Sequence, residues 1–215
     1  MGLHSSGFYL GYRKGLIKKY YLTTFYHFDL ANLKHPKEYH QSIRAQSVLH
    51  NIPSGNGFTY GKQNSFFALR GGLGARRYYS EKAKRKGVSV ALTYEGGASL
   101  GILKPYYLDI STYENDRYFI RAIRYSEKSK SEFLDLNKIA GSSSVLKGLT
   151  QISVIPGLQG KAALNFAFGE TDQFIKSLEA GLGIDVYMRK IPIMIESPNT
   201  AYFINFFLGE TRCCE

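Results

Sequence analysis

The chain has 215 residues, with 28 Lys+Arg against 17 Asp+Glu (formal net charge +11), 44% hydrophobic residues and 14% aromatic ones, supplied by 17 Tyr and 14 Phe. That length allows one large domain or two small ones, the hydrophobic content excludes intrinsic disorder, and no stretch approaches the ~20 consecutive apolar residues of a spanning helix. Two adjacent cysteines, Cys213 and Cys214, cannot make a disulfide framework, and the positive excess asks for an anionic partner or surface.

Residues 1–15 hold no basic segment followed by an apolar one, so no secretory leader is expected in them. Strand-like alternation starts at once: in 6–13, Phe8, Leu10 and Tyr12 share one side. In 19–30, Tyr20, Leu22, Thr24, Tyr26, Phe28 and Leu30 lie on one face, and Tyr21, Thr23, Phe25, His27 and Asp29 on the other. Residues 36–46 could form a turn or two of helix. In 65–76, Phe67, Leu69, Gly71, Leu73 and Ala75 alternate with Phe66, Ala68, Arg70, Gly72, Gly74 and Arg76.

Residues 88–102 decide the fold class. Val88, Val90, Leu92, Tyr94, Gly96, Ala98, Leu100 and Ile102 alternate without a break with Ser89, Ala91, Thr93, Glu95, Gly97, Ser99 and Gly101. At ~3.3 Å per residue such a strand reaches roughly 45–50 Å, whereas strands of soluble domains usually run ~5–6 residues. A weaker strand is expected at 118–125, where Arg121 and Arg124 fall on opposite faces, and a short helix at 130–139. Alternation returns at 161–168, at 174–188 and in the aromatic run 202–208.

The polar face of these strands is crowded with Gly, Ala and Ser and carries a few charges. That composition suits the inside of a narrow barrel, where small residues let the walls approach and charges pair across the lumen. The apolar face then looks at lipid, with Tyr20, Tyr26, Tyr78, Tyr79, Tyr106, Tyr107, Tyr187 and Tyr202 placed for interface girdles. A spanning sheet must close, because hydrocarbon leaves unpaired backbone groups unsatisfied. The expectation is an all-β, closed, antiparallel, up-and-down transmembrane barrel of about eight strands, a single domain over 1–215, with long loops near 31–62 and 103–153. Two arrangements fit: short turns strictly in the periplasm put Met1 outside and require an eighth strand upstream of residue 1, whereas counting 118–125 as the eighth strand puts both termini in the periplasm and the 31–62 segment below the membrane, and the second is preferred because it needs no further residues.

HPKE (35–38), YGKQNSFFALRGGLG (60–74), GGASLGILKPYYL (96–108), PGLQGKAALNF (156–166), EAGLGIDVY (179–187) and the stretch from KIPIMI to AYFINFFL (190–208) resemble an uncharacterised family of small Bacteroidota outer-membrane β-barrel proteins. The resemblance covers most of the chain. It implies an outer-membrane location and a barrel fold, and no chemistry.

The candidate site is an ionic network on the lumen face: Arg70, Glu95, Lys161, Glu179 and Asp185, with His27 and Asp29 nearby. A hairpin around 80–87 sets Arg70 against Glu95, and one around 169–173 sets Lys161 near Glu179. Buried charges are cheap only when paired, so the network reads as a salt-bridged plug that stiffens the barrel. A proton or ion path, or a hydrolytic carboxylate pair, are the competing readings.

A second cluster, Arg76, Arg77, Lys82, Lys84, Arg85 and Lys86, suits lipopolysaccharide phosphates or anionic head groups. Nucleic acid is not expected, because no stacking motif or recognition helix accompanies the charge. The five histidines show no metal spacing, Cys213–Cys214 lacks zinc or redox context, and no nucleophile motif stands out, so no cofactor, metal or catalytic residue is assigned.

The function expected is therefore that of a non-enzymatic outer-membrane barrel with a filled lumen, a structural or accessory subunit of a larger envelope assembly, secretion or transport complex. Its expected partners are outer-membrane lipid, lipopolysaccharide and other outer-membrane or periplasmic proteins. A small channel or a small-molecule or lipid-binding barrel is the alternative, and a lipid-acting barrel enzyme a third.

Overall fold

A computed structural model describes residues 1–41, 57–79, 88–114, 117–168 and 175–213. Strands dominate it. β1 (Gly2–His4), β2 (Gly7–Lys19), β3 (Leu22–Leu33), β6 (Asn64–Tyr78), β7 (Ser89–Pro105), β11 (Ser153–Phe168), β12 (Ile175–Tyr187) and β13 (Tyr202–Cys213) form one antiparallel sheet of eight strands arranged in a ring. Each pairs with the next in that order, and β13 pairs back onto β1.

The return is narrow. β1 meets β13 through Gly2–Gly209, Leu3–Leu208 and His4–Phe207, and meets β2 through Gly2–Tyr9, Leu3–Phe8 and His4–Gly7. The bend into β2 uses Gly7 at φ +151°, where an added Cβ would run into the Asn32 carbonyl oxygen. Only glycine adopts that backbone at little cost.

The eighth strand is therefore β1 and not 118–125. Residues 117–124 form β9 (Arg117–Arg124), which lies outside the ring in a three-stranded sheet with β8 (Tyr107–Glu114) and β10 (Ile139–Ser142). Its partners are the neighbouring β8 and, through β8, β10, so its backbone bonds are made locally.

This small sheet has its own core of Phe58, Leu108, Ile110, Phe133 and Ile139, bordered by Tyr60, Tyr106 and Tyr125. Helix is scarcer than expected: α1 spans only Lys130–Phe133, preceded by a 3-10 turn over Glu127–Ser129 that Ser126 caps. Within 36–46 the described residues form a turn at 36–37 and a two-residue strand, β4 (His40–Gln41), paired with β5 (Phe58–Thr59); the remainder lies outside the described residues.

The ring has two different ends. The connections 34–63, 106–152 and 188–201 all leave from one end. The turn at 20–21, the last residues of β6 and β11, the first of β7 and β12, and Cys213 lie at the other. Leu33 and Asn64, which bound the 34–63 connection, thus lie at the end opposite Cys213 and not on its side as expected; residues 42–56 lie outside the described residues. Replacing 118–125 by β1 in the strand order removes the conflict between long and short connections.

Candidate functional site

The inward face of the ring carries the chemistry. Strand alternation turns Phe25, His27, Asp29, Arg70, Thr93, Glu95, Gln159, Asn165, Glu179, Asp185 and Asn205 inward, and all are buried. Glycines bring the walls close enough for these groups to meet. Gly72 and Gly97 face each other, and a Cβ on either would strike the partner strand's backbone.

The five charges singled out from sequence come together here, in different pairs. Arg70 Nε and Nη2 donate to the two carboxylate oxygens of Asp185 at 2.8 and 2.6 Å, and Arg70 Nη1 lies 3.7 Å from Asp29 Oδ1. Lys161 bridges Asp29 and Glu95, with its Nζ 3.0 Å from Glu95 Oε1. Arg13 binds both oxygens of Glu179 through its two terminal nitrogens and reaches Glu95 Oε2 at 3.1 Å. Arg76 Nε donates to Thr93 Oγ1 at 3.1 Å, and its Nη2 lies 3.8 Å from Glu179.

Two sequence-derived pairings are corrected. Arg70 stands opposite Ser99, and Glu95 opposite Gly74 on one side and Lys161 on the other. Glu179 stands opposite Asn165, and Lys161 opposite Gly183. The β6–β7 register differs from the expected one by an even number of residues. An even slip keeps every side chain on its face while exchanging its neighbours.

His27 completes the network. Gln159 Nε2 and His27 Nε2 are 2.6 Å apart, so an amide N–H donating to that nitrogen leaves the neutral ring's proton on Nδ1, which points to Glu95 Oε2 at 4.0 Å. Four cations (Arg13, Arg70, Arg76, Lys161) meet four carboxylates (Asp29, Glu95, Glu179, Asp185). The cluster is neutral as a whole, so the chain's +11 resides outside it. A cavity of about 10 Å³ lies between His4, Tyr9, Arg70, Lys161, Asp185 and Asn205, room for about one water.

Towards the long-loop end the filling becomes apolar. Phe66, Tyr187 and Phe203 pack ring against ring with centroids 5.3 to 6.1 Å apart. Ile191, Ile193 and Met194 from the 188–201 connection close over them. Asn199 holds that connection folded: its Oδ1 accepts from the N–H of Ile193 and Met194, and its Nδ2 donates to the Met194 carbonyl. Tyr187 is therefore no girdle residue; it is buried in the ring and bonded to Ser99 Oγ at 2.9 Å. Tyr106 likewise lies in the small outer core.

The outward face is the reverse. Phe8, Leu10, Tyr12, Tyr26, Phe28, Leu30, Leu73, Leu100, Leu158, Leu164, Leu182, Ile184, Tyr202, Ile204, Phe206 and Leu208 are all exposed. Of the proposed anion-contact residues, Arg76 turns inward to Glu179, while Arg77 is exposed and lies over the Tyr79 ring at 5.6 Å. Lys82, Lys84, Arg85 and Lys86 lie outside the described residues. Among the described residues no three His, Cys, Asp or Glu side chains are grouped to hold a metal.

Arg13 is the member that sequence reasoning missed. Its signal was its place on the glycine-bearing face of β2, between Gly11 and Gly15. Comparison with protein-family models, with curated proteins and with solved structures finds no match.

Proposed function

We propose that the chain is an integral outer-membrane β-barrel with a plugged lumen, acting without catalysis as a structural or accessory subunit of a larger envelope complex. One observation carries this reading: the molecule is inside-out. Ionic groups are buried in the ring, and sixteen or so large apolar side chains form an exposed belt around it. Soluble monomers seldom expose a contiguous apolar patch beyond a few hundred Å². A belt around a whole sheet is what hydrocarbon requires of a spanning ring.

The filled interior argues against transport. Among the described residues, a neutral salt-bridge cluster and an apolar mouth fill the ring, with a cavity of about 10 Å³ between them. Short connections conventionally face the periplasm and long ones the exterior. On that rule the small sheet of β8, β9 and β10 projects outward, where its polar loops suit protein contacts. The exposed Arg77 near the opposite rim suits anionic lipid head groups.

Refolding into phosphatidylcholine vesicles followed by flotation and a heat-modifiability gel tests the membrane claim. A protein that stays soluble and monodisperse without detergent would instead support the small-molecule-binding barrel. Planar-bilayer recording of the wild type and Glu95→Gln tests the plug: no conductance is expected in either, and a conducting pore would overturn that part. Co-purification in mild detergent tests the subunit role, which a strictly solitary protein would refute.

A further inference from the structure

Three stretches without a carboxylate meet at the long-loop end of the ring. Residues 96–108, 136–168 and 186–195 contain no Asp or Glu. Strand pairing sets them side by side: Ser153 lies opposite Leu103, Gly157 opposite Tyr187, and the Met188 N–H donates to the Pro156 carbonyl at 3.2 Å. Lys147, Arg189 and Lys190 are exposed on this side of the rim, and among the described residues none of them forms an ion pair. Arg189 donates instead to Ser153 Oγ at 3.1 Å. Other cations of the long connections do meet carboxylates: Lys62 pairs with Glu38, Arg121 with Glu132 at 3.6 Å and Lys138 with Asp135 at 3.7 Å.

The loop between β10 and β11 is apolar and held in place. Gly148 takes φ +85° against the Tyr107 ring and the Pro105 carbonyl. Gln151 Oε1 accepts from the Tyr107 hydroxyl at 2.9 Å and from Arg124 Nη1 at 2.7 Å. Tied down in this way, the loop still leaves Val145 79% and Leu146 75% exposed, and Met188, just past the end of β12, is 83% exposed. Leu149, Ile152 and Val154, also exposed, link the loop to the outward face of β11, so the apolar belt continues into it.

We infer that this rim binds a phosphorylated glycolipid of the lipopolysaccharide class. Lys147, Arg189 and Lys190 hold its phosphates, and Val145, Leu146 and Met188 lie against its acyl chains. The inference rests on the membrane reading above, under which the long connections face the outer leaflet. Cations without carboxylate partners beside a greasy surface match an amphiphile with an anionic head. An acidic protein or a nucleic acid would answer the charges and leave the apolar side chains in water. A neutral lipid would cover the apolar side chains and leave the cations unanswered. The site is separate from Arg77, which lies at the opposite end of β6.

Hydrogen exchange of the amides of 144–152 and 188–190 tests the site in the full chain. The chain is refolded into vesicles of phosphatidylcholine alone, with bisphosphorylated lipid A, or with lipid A stripped of its phosphates. The phosphorylated lipid should slow exchange in both segments about ten-fold or more relative to phosphatidylcholine, and the stripped lipid should not. Lys147→Gln with Arg189→Gln and Lys190→Gln should abolish the slowing, as should Val145→Ser with Leu146→Ser. All five positions are exposed, so both variants should float with vesicles as the wild type does. Arg77→Gln should keep the slowing, and its loss there would place the lipid at the other rim and overturn the inference. Slowing that survives either multiple variant also overturns it, as does equal slowing by the stripped lipid. Slowing reproduced by inorganic phosphate would reveal an ion site and refute the lipid. A chain that fails to float overturns the membrane reading, and the lipid site falls with it; a chain that floats yet exchanges alike in all three vesicles overturns the lipid site alone.

Discussion

Asp185 and Arg70 show how the interior is balanced residue by residue. Their fork-to-fork pair is almost wholly buried, so neither charge has water to fall back on. Asp185→Asn should destabilise the folded ring by about 3–5 kcal/mol, because it leaves the buried Arg70 guanidinium only the longer contact to Asp29, which Lys161 already shares. The double replacement Arg70→Met with Asp185→Leu should cost far less, since no charge is left unpaired. Urea unfolding in detergent, read from the heat-modifiable band, compares the two. Gly72 makes a second residue-scale point. With the Gly96–Gly97 backbone against its missing side chain, Gly72→Val must push β6 and β7 apart. A loss of at least 1–3 kcal/mol is expected in the same assay.

At the level of elements, the mouth and the outer sheet are separable. Asn199 ties three backbone groups of the 188–201 connection. Asn199→Ala should cost about 1–3 kcal/mol and admit a protease to that connection while the ring keeps its gel shift. In the small outer core, Tyr106 accepts a hydrogen bond from the Thr59 N–H at 3.2 Å and lies beneath the Lys62 ammonium at 5.5 Å. Burial pushes its phenol above the ordinary value, so the protonated form is the one the fold favours. Its contribution is present in full below pH ~10 and is lost as pH rises through the raised value. Hydrogen exchange or limited proteolysis of β8–β10 should therefore report loosening only in that alkaline range.

For the molecule as a whole, the solvent of the outer belt is the question that matters. Leu182 sits outward near the middle of β12, exposed, beside Ala162 and Phe206. In a bilayer, Leu182→Arg should cost about 2–4 kcal/mol of folding free energy. In water the same surface change would fall within about ±0.5 kcal/mol. Equilibrium folding into thin vesicles measures the difference. The interior cluster sums to zero, so the +11 of the chain lies outside it.

Much of this arrangement was legible in the chain itself. The period-two alternation of 88–102, 65–76 and 174–188 determined strand identity and which side chains share a face, because a strand's side chains must alternate whatever it pairs with. It therefore also nominated Arg70, Glu95, Lys161, Glu179 and Asp185 as one inward set. It could not determine partners: a register that slips by an even number preserves every face and changes every neighbour. So Arg70 meets Asp185 rather than Glu95, Arg76 turns in to Glu179, and Arg13 joins from β2. The three-residue β1 is too short to leave a periodic signal, while 118–125 imitates a strand of the ring and is one of another sheet. Strand order and the mouth closed by Ile191, Ile193 and Met194 both depend on residues far apart in sequence. Local periodicity sees one strand at a time, and only the packed ring decides which strands stand side by side.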